Sequence, residues 1–295
     1  MELGVHLPQI GPLANRDGVT AFARAAEERG FDSLWVSDHV VIPRKLDARY
    51  PYSRDGGFPV PPETPFLEPI AALLFVAGVT QRPKLGTTVL VIPMRNPIVT
   101  PKQLVTLDVL SGGRLILGVG AGWMAEEFEM LGVPFEQRGA RTSEYIRLYK
   151  ALWTEENPSF HGKFWSIEDV GFSPKPLQKP HPPIWVGGHS APALRRAGRL
   201  ADAWHAIGLP AAQVAADFAE VRRHAEEAGR DPASVALSVR TRLPLKDLQQ
   251  SIEILQSYKE IGVSHAVIEV FTLDLDRATE MMDTLANDVR AKAGA

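Results

Sequence analysis

The sequence predicts an α/β fold, namely a closed (β/α)8 TIM barrel with insertions after the second and fourth strands. Eight short apolar strand signals alternate with helical segments along the 295 residues, whereas an open doubly wound sheet would usually show fewer strands. Hydrophobic residues make up 45% of the chain, which is enough for a large core. No Ser/Gly-rich or long charged spacer divides the chain, so we expect a single domain over residues 1–295.

The predicted strands are short runs rich in Val, Ile, Leu and Thr, the pattern of strands that are covered on both faces. They cover residues 3–7, 33–37, 85–91, 114–119, 184–186, 203–206, 235–240 and 265–270. Apolar residues at helical spacing predict helices at residues 17–30, 68–77, 100–110, 126–130, 138–153, 191–200, 211–228, 245–262 and 274–291. Asp17 is predicted to cap the first helix, and Thr100, Pro101 and Gln103 predict a capping box at the third.

The two insertions differ in character. Residues 40–65 follow the second strand and hold six prolines together with Tyr50, Tyr52 and Phe58. A loop of this length in a compact domain is usually a lid or a binding loop, so we expect its aromatic rings to cover a ligand; the alternative is a surface insertion without that role. Residues 160–183 follow the fourth strand, and their alternating aromatic and polar residues predict a β-hairpin.

The composition limits the classes of partner. The formal net charge is −3 and charges of both signs are interleaved, so we expect a small-molecule partner and neither nucleic acid nor a membrane surface. The chain has no cysteine, which excludes disulfides and a thiol nucleophile. The first residues predict a strand rather than a targeting leader, and we expect a cytoplasmic protein. The histidines lack a spacing such as HExxH, and we expect no metal.

His39 is the leading candidate for a catalytic residue. It follows Asp38 directly after the second strand, at the rim where barrel enzymes keep their catalytic groups. An imidazole can donate or accept a proton near neutral pH, and the adjacent carboxylate could hold a loop or orient the ring. The alternative is a loop histidine that is packed beneath the lid.

A glycine-rich turn late in the chain is the candidate anion site. Gly187, Gly188, His189 and Ser190 come directly after a strand and open a helix. Glycines let backbone amides approach an anion, and the start of a helix adds partial positive charge. Ser190 could cap the helix or donate its hydroxyl. The turn therefore predicts a phosphate site, and the alternative is a tight cap without a ligand.

A second glycine-rich segment ends the fourth strand. The glycines at 118, 120 and 122 have the spacing GxGxG rather than GxGxxG, so we reject a dinucleotide-binding fingerprint. Gly120 and Gly122 instead suggest that a flat ligand approaches the backbone, with Trp123 lining the same face; a bulge alone would also explain them. Thr88, within the third strand, could turn its hydroxyl inward.

Five linked segments resemble the bacterial luciferase-like flavin enzymes. They are SDH after the second strand, LGTTVLVIPMRNP, LSGGRLILGVGAGW, RGARTSEY and PIWVGGHSAPALRRAGRLADAW. The resemblance covers residues 1 to about 207 in matching order. Within this superfamily the sequence looks most like the branch that uses the deazaflavin coenzyme F420 rather than FMN. Relatives of this kind usually form dimers, so the resemblance allows a homodimer.

The resemblance implies roles for the residues singled out above. A non-proline cis peptide, here Thr88–Val89, would press against the back face of the coenzyme ring. The coenzyme phosphate would lie on the 187–190 turn, and Asp38 and His39 would stand beside the ring as the acid/base pair. Arg138 and Arg141 would either help to bind phosphate or pair with Glu136 and Glu144.

One departure from the family pattern bears on the substrate. The deazaflavin sugar-phosphate dehydrogenases carry a glutamate proton donor at the position of Trp123, which argues against a sugar phosphate here. Proton transfer then falls to His39 alone, to a substrate group or to water.

The sequence thus predicts an F420-dependent oxidoreductase that transfers hydride between the deazaflavin and a small, mostly apolar organic substrate beneath the residue 40–65 loop. One alternative is an FMN-dependent monooxygenase that uses O2. Another, from a different class, is a barrel that stores the coenzyme without turnover.

Overall fold

The predicted barrel is confirmed. The computed structural model describes residues 1–53 and 55–294, and its parallel strands close on themselves with helices outside. The strands are β1 (Glu2–His6), β2 (Ser33–Val36), β3 (Lys84–Thr87), β4 (Leu90–Val91), β5 (Leu115–Gly120), β6 (Phe160–His161), β7 (Ser166–Ile167), β8 (Ile184–Gly187), β9 (Ala203–Ile207), β10 (Ala236–Thr241) and β11 (His265–Ile268). β3 and β4 share one barrel position because both pair with β5. β1 pairs with both β2 and β11, which closes the cylinder.

The helices lie between the strands along the chain. They are α1 (Arg16–Glu28), α2 (Pro69–Val79), α3 (Val99–Leu110), α4 (Ala125–Met130), α5 (Arg138–Thr154), α6 (Ala191–Leu200), α7 (Ala211–Glu227), α8 (Leu248–Glu260), α9 (Leu275–Asp283) and α10 (Ala291–Ala293), with a π-helical segment at Thr284–Arg290. Their apolar faces cover the outside of the barrel and form the main core. Within residues 1–53 and 55–294, no helix is both long and apolar enough to span a membrane.

Two predicted helix caps are wrong, and both errors have the same cause. The Asn15 side chain accepts a hydrogen bond of 2.9 Å from the amide of Gly18, so Asn15 rather than Asp17 caps α1. The Asn96 side chain bonds the amide of Val99 at 3.0 Å, so the start of α3 is held before Thr100 is reached. Asparagine side chains readily accept hydrogen bonds from nearby backbone amides. Each of these two asparagines precedes the predicted capping residue in the sequence.

The lower interior of the barrel is filled by aromatic and imidazole rings. Trp35 and Trp185 lie with ring centroids 5.1 Å apart, and the ring of His205 stacks on Trp35 at 5.6 Å. These side chains are buried. Side chains therefore fill the lower interior of the barrel, as is usual for this fold.

The predicted hairpin is confirmed, because Phe160 pairs with Ile167 in an antiparallel ladder of β6 and β7. The buried Glu144 of α5 holds it by accepting the amides of Lys163, Phe164 and Trp165 at 2.7 to 2.9 Å. A carboxylate that accepts several backbone amides fixes a loop firmly. The hairpin is therefore anchored to the barrel wall.

Candidate active site

A cavity of about 1140 Å³ opens at the carboxyl ends of the barrel strands. All ten residues predicted for catalysis or coenzyme binding line it, namely Asp38, His39, Thr88, Val89, Gly120, Gly122, Gly187, Gly188, His189 and Ser190. The strand ends bring them together from four separate parts of the chain. Their individual roles stay predictions, but they share one space.

The peptide bond between Thr88 and Val89 is cis, as the resemblance implied. It separates β3 from β4, so the predicted third strand, residues 85–91, is interrupted. The Thr88 hydroxyl lies 2.9 Å from Nε2 of His205 inside the barrel, which confirms the prediction that this hydroxyl turns inward. Both Thr88 and Val89 also line the cavity.

The glycines around this bulge make room for the side chain of Val89. A Cβ atom on Gly120 would lie 2.4 Å from Val89 Cγ2, and one on Gly187 would lie 2.7 Å from Cγ1. These distances are shorter than any van der Waals contact. The bulge interpretation therefore explains Gly120 better than close approach of a flat ligand does. Gly122 has φ +82° and turns the chain out of β5.

His39 is held by Glu127 rather than by the acid beside it. His39 Nδ1 lies 2.8 Å from Glu127 Oε2. Glu127 is 2% exposed, and its other oxygen accepts the backbone amides of Val40 and Val41 at 2.6 and 3.2 Å. Sequence reasoning missed Glu127, although it lies on the first turn of a short helix that follows the predicted rim of the fourth strand. The imidazole is therefore fixed by a contact 88 residues away in the chain.

Asp38 has a different partner, which corrects the interpretation that it orients the His39 ring. Its carboxylate accepts bonds of 2.6 and 3.0 Å from Arg95 and of 2.8 Å from the amide of Val91. Burial acts to lower the pKa of Arg95, but Asp38 and Glu68 raise it above its usual value. Asp38 therefore holds β4 and the segment after it, while lining the cavity floor.

Aromatic rings of the residue 40–65 loop pack beside His39 and Trp123 at the cavity, and their role as a lid stays a prediction. The His39 ring lies 4.9 Å from Phe58 and 6.0 Å from Trp123 between centroids. Tyr50 contacts both Phe58 and Trp123, at 5.2 and 5.1 Å. Burial raises the pKa of the Tyr50 hydroxyl, so this wall stays uncharged near neutral pH. Tyr52 reaches across to His189 at 6.0 Å.

The 187–190 turn lines the same cavity as two arginines. Gly188 has φ +100°, and Ser190 takes the N-cap position of α6, with its hydroxyl making no capping bond. Arg138 and Arg196 line the same space, and in the described ranges neither has a carboxylate within 4 Å. Burial, and after it the charge of Arg138, lowers the pKa of Arg196 to about 10. Cations without a carboxylate partner beside a helix start suit the binding of an anion, so the phosphate site stays a prediction.

The two arginines of α5, Arg138 and Arg141, have different surroundings. Arg138 stacks on Phe135 at 3.7 Å and donates to the carbonyl of Gly122 at 3.2 Å. Arg141 donates to the Tyr145 hydroxyl at 3.3 Å and does not line the cavity. The Glu144 carboxylate accepts hairpin amides instead of pairing with Arg141. Of the two, only Arg138 can reach a ligand.

Arg240 is a second site residue that sequence reasoning missed. Its guanidinium donates to the Thr88 carbonyl at 2.8 Å and to Ser37 Oγ at 3.0 Å, and it pairs with Glu269 at 2.8 Å. Burial acts to raise the pKa of Glu269, but Arg240 and Arg242 lower it, so Glu269 is a carboxylate near neutral pH. A signal was present, because Arg240 and Glu269 stand at the carboxyl ends of adjacent predicted strands.

Fold and site together are those of a barrel enzyme that binds a small molecule at its carboxyl rim. The comparison with family models is more specific, since the model described as luciferase-like monooxygenase matches residues 3–283. The chain belongs to the luciferase-like monooxygenase family, which confirms the resemblance. Membership places it among oxidoreductases and monooxygenases.

Several curated relatives are similar over part or most of the chain. An uncharacterized protein of Mycobacterium tuberculosis is 38% identical over 70% of this chain and 71% of its own. The F420-dependent glucose-6-phosphate dehydrogenase of Kineococcus radiotolerans is 35% identical over 62% of this chain and 50% of its own. The FMNH(2)-dependent dimethylsulfone monooxygenase of Pseudomonas putida is 38% identical over 45% of this chain and 38% of its own.

A solved structure supports the fold. The F420-dependent secondary alcohol dehydrogenase in complex with an F420-acetone adduct matches with a TM-score of 0.78 at 17% identity. The match covers 99% of this chain and 98% of that chain. At this identity the similarity shows the barrel alone.

Proposed function

We propose that this protein is an F420-dependent oxidoreductase that transfers hydride between the deazaflavin coenzyme and a small, mostly apolar organic substrate. The observation that carries the proposal is one cavity into which the Thr88–Val89 bond, the His39 imidazole and the 187–190 turn all open. The similarity to the Kineococcus radiotolerans dehydrogenase, over 62% of this chain, supports F420 as the coenzyme.

The residues of the cavity fit a ring coenzyme with a phosphate-bearing tail. Ligand pockets usually have volumes of about 300 to 1000 Å³, so about 1140 Å³ leaves room for coenzyme and substrate together. The Thr88–Val89 bond offers a backbone surface for the ring. The turn at Gly188 to Ser190, with Arg138 and Arg196, offers amides and positive charge for a phosphate. When bound, the coenzyme supplies the hydride chemistry.

The protein side of the reaction is proton transfer and shielding. His39 stands at the cavity wall with Nδ1 engaged by Glu127, so Nε2 is the atom left to accept a proton from the substrate or to return one. The rings of Tyr50, Phe58 and Trp123 pack into one cluster beside His39. They keep water from the reacting atoms.

The wall also limits the substrate. Trp123 packs against Tyr50 and Phe58, and it stands where the sugar-phosphate dehydrogenases of the family carry a glutamate. An aromatic wall favours an apolar or aromatic substrate over a sugar phosphate, because it offers few partners for hydroxyl groups.

A second candidate is an FMN-dependent monooxygenase that uses O2, which is favoured by the 38% identity to the Pseudomonas putida enzyme. FMN also combines a tricyclic ring with a phosphate, so the same cavity suits it. The monooxygenase alternative has weaker support because the match to the Pseudomonas putida enzyme covers 45% of this chain, against 62% for the F420-dependent relative.

Parallel titrations of the purified protein with coenzyme F420 and with FMN, followed by fluorescence, test the choice. We expect F420 to bind and FMN to bind at least about 10-fold more weakly, a difference of about 1.4 kcal/mol. Tight FMN binding with no F420 binding would reject the proposal in favour of the monooxygenase. A barrel that stores the coenzyme without turnover would bind F420 but show no activity on a substrate panel. In such a protein His39→Ala would bind F420 as tightly as the wild type does.

A further inference from the structure

The carboxylate of Glu127 connects His39 to the beginning of the lid. Oε2 contacts the imidazole Nδ1, and Oε1 accepts the amides of Val40 and Val41, the two residues after His39. Glu127 is 2% exposed, so these bonds have little competition from water. One side chain therefore engages both the candidate catalytic ring and the backbone that leads into the lid.

These contacts determine where the imidazole carries its proton. An ionised carboxylate only accepts hydrogen bonds, so the Nδ1 atom of His39 must be the donor. In this Nδ1–H tautomer the lone pair is on Nε2, which has no hydrogen-bond partner among the residues that the structure describes. His39 lines the cavity. The acceptor nitrogen is thus the one available to a ligand.

We propose that Glu127 is the positioning residue of His39: it fixes the Nδ1–H tautomer, keeps Nε2 ready to accept a proton, and holds the start of the lid with the same carboxylate. The tautomer stands on the geometry alone, whereas its use in turnover rests on the proposed function. A simpler reading is that Glu127 only anchors the loop. The two readings differ in what an amide at this position would do.

Glutamine separates the two roles. In Glu127→Gln the amide oxygen still accepts from Val40 and Val41, so the lid anchor is kept. The amide nitrogen faces His39 Nδ1 as a donor, so Nδ1 must become the acceptor and the proton moves to Nε2. The charge and tautomer change while the loop contact remains.

The neighbouring Glu126 provides a matched control. Its Oε1 accepts the amides of Asp47 and Ala48, at 2.7 and 2.9 Å, farther along the same lid. Glu126 makes no hydrogen bond to His39. Glu126→Gln therefore removes one charge from the same turn of α4 and changes a side chain that contacts the same lid. It does not change any hydrogen bond of the His39 imidazole.

Long-range ¹H–¹⁵N NMR spectra of ¹⁵N-histidine-labelled protein without coenzyme test the tautomer, with the His39 signals assigned by their loss in His39→Ala. We expect Nδ1–H in the wild type and in Glu126→Gln, and Nε2–H in Glu127→Gln. An Nε2–H wild type would overturn the proposal even if the variants failed to fold. An unchanged Nδ1–H tautomer in folded Glu127→Gln would also overturn it and leave the loop-anchor reading.

Steady-state kinetics provide the second readout. For Glu127→Gln we expect kcat to fall about 100-fold, the contribution typical of a positioned acid or base, while the F420 dissociation constant stays within about 2-fold of the wild type because the lid anchor is kept. An unchanged kcat would contradict positioning in turnover. If wild-type protein fails to bind F420, the proposed function fails, but the NMR result still decides the tautomer.

Discussion

The Nη1 atom of Arg240 donates a hydrogen bond of 2.8 Å to the carbonyl oxygen of Thr88, 152 residues earlier in the chain. Arg240 is itself held by Glu269, so a charge pair at the ends of β10 and β11 fixes the carbonyl at the bulge between β3 and β4. β10 and β11 are neighbours in the barrel and β3 and β4 share another barrel position, so this contact joins two separate parts of the barrel mouth. Residues near the C-terminal end of the chain therefore hold the Thr88 carbonyl, which belongs to the N-terminal third, at the cavity.

Replacing Arg240 should cost stability at this junction. Arg240→Ala leaves the largely buried Glu269 with only the exposed Arg242, and it leaves the Thr88 carbonyl with only the long 3.5 Å hydrogen bond from the Ser37 hydroxyl. We expect a loss of roughly 2 to 3 kcal/mol in the free energy of unfolding, measured by urea denaturation. Arg242→Ala, which removes the exposed partner of the same carboxylate, is the control and should stay near wild type. Equal losses in the two variants would contradict this account.

Gly120→Ala should disturb the bulge. The new Cβ would lie 2.4 Å from Val89 Cγ2, and overpacking of this kind costs about 1 to 3 kcal/mol. The control is Gly78→Ala in α2, where a Cβ meets nothing within 4 Å and a gain of about 0.5 to 1 kcal/mol is expected. Adding Val89→Ala to Gly120→Ala should recover part of the loss, because the clashing methyl is gone. A double variant that shows only the sum of the two losses would rule out this contact as the cause.

Arg138→Gln should weaken binding of the phosphate-bearing coenzyme specifically. A hydrogen bond to a charged group is worth about 1.5 to 3 kcal/mol, so F420 affinity should fall at least about 10-fold. The deazaflavin that lacks the phosphate tail should bind the variant and the wild type alike. Arg141→Gln, outside the cavity, is the matched control. If both deazaflavins lose affinity equally, Arg138 does not bind the phosphate.

The stability of the protein should decrease as the pH falls from about 6.5 towards 3. Burial, followed by the charge of Arg240, lowers the pKa of His6 and of His205 to about 3, whereas an unfolded histidine titrates near about 6.5. Within that window the unfolded chain binds more protons, so the free energy of unfolding falls with falling pH, by about 1.4 kcal/mol per pH unit for each imidazole.

Urea denaturation between about pH 7.5 and pH 5.5 measures this slope above the range in which carboxylates titrate. His205→Gln keeps polar atoms near Ser238 and Thr88 but does not titrate, so its slope should be smaller than that of the wild type by an amount that grows from about 0.1 proton at pH 7.5 to about 0.9 proton at pH 5.5. A slope identical to that of the wild type would mean that His205 is not neutral in the folded protein.

The barrel could be predicted from the sequence because strand and helix patterns repeat eight times and parallel strands bring their carboxyl ends to one rim. That rule placed His39 and the 187–190 turn at the rim where the cavity lies. The cis bond itself came only from the family resemblance, since the run of apolar residues from 85 to 91 predicts an uninterrupted strand.

The partners of the site residues could not be predicted in the same way. Asp38 adjoins His39 in the sequence, yet the direction of their side chains gives Asp38 to Arg95 and His39 to Glu127. These contacts depend on how the short helix α4 and the segment after β4 pack on the barrel rim. The spacing of apolar residues in the sequence does not predict that packing. The two helix-cap predictions were wrong because Asn15 and Asn96 precede the predicted capping residues in the sequence. Their side chains already accept hydrogen bonds from amides at the starts of α1 and α3.

The most direct test of the central claim is a crystal structure of the protein with coenzyme F420. We predict the deazaflavin ring in contact with Thr88–Val89, the phosphate within hydrogen-bond distance of the Ser190 amide, and His39 Nε2 facing the ring across the substrate space. A coenzyme bound outside this cavity, or with its phosphate remote from the 187–190 turn and from Arg138, would contradict the account.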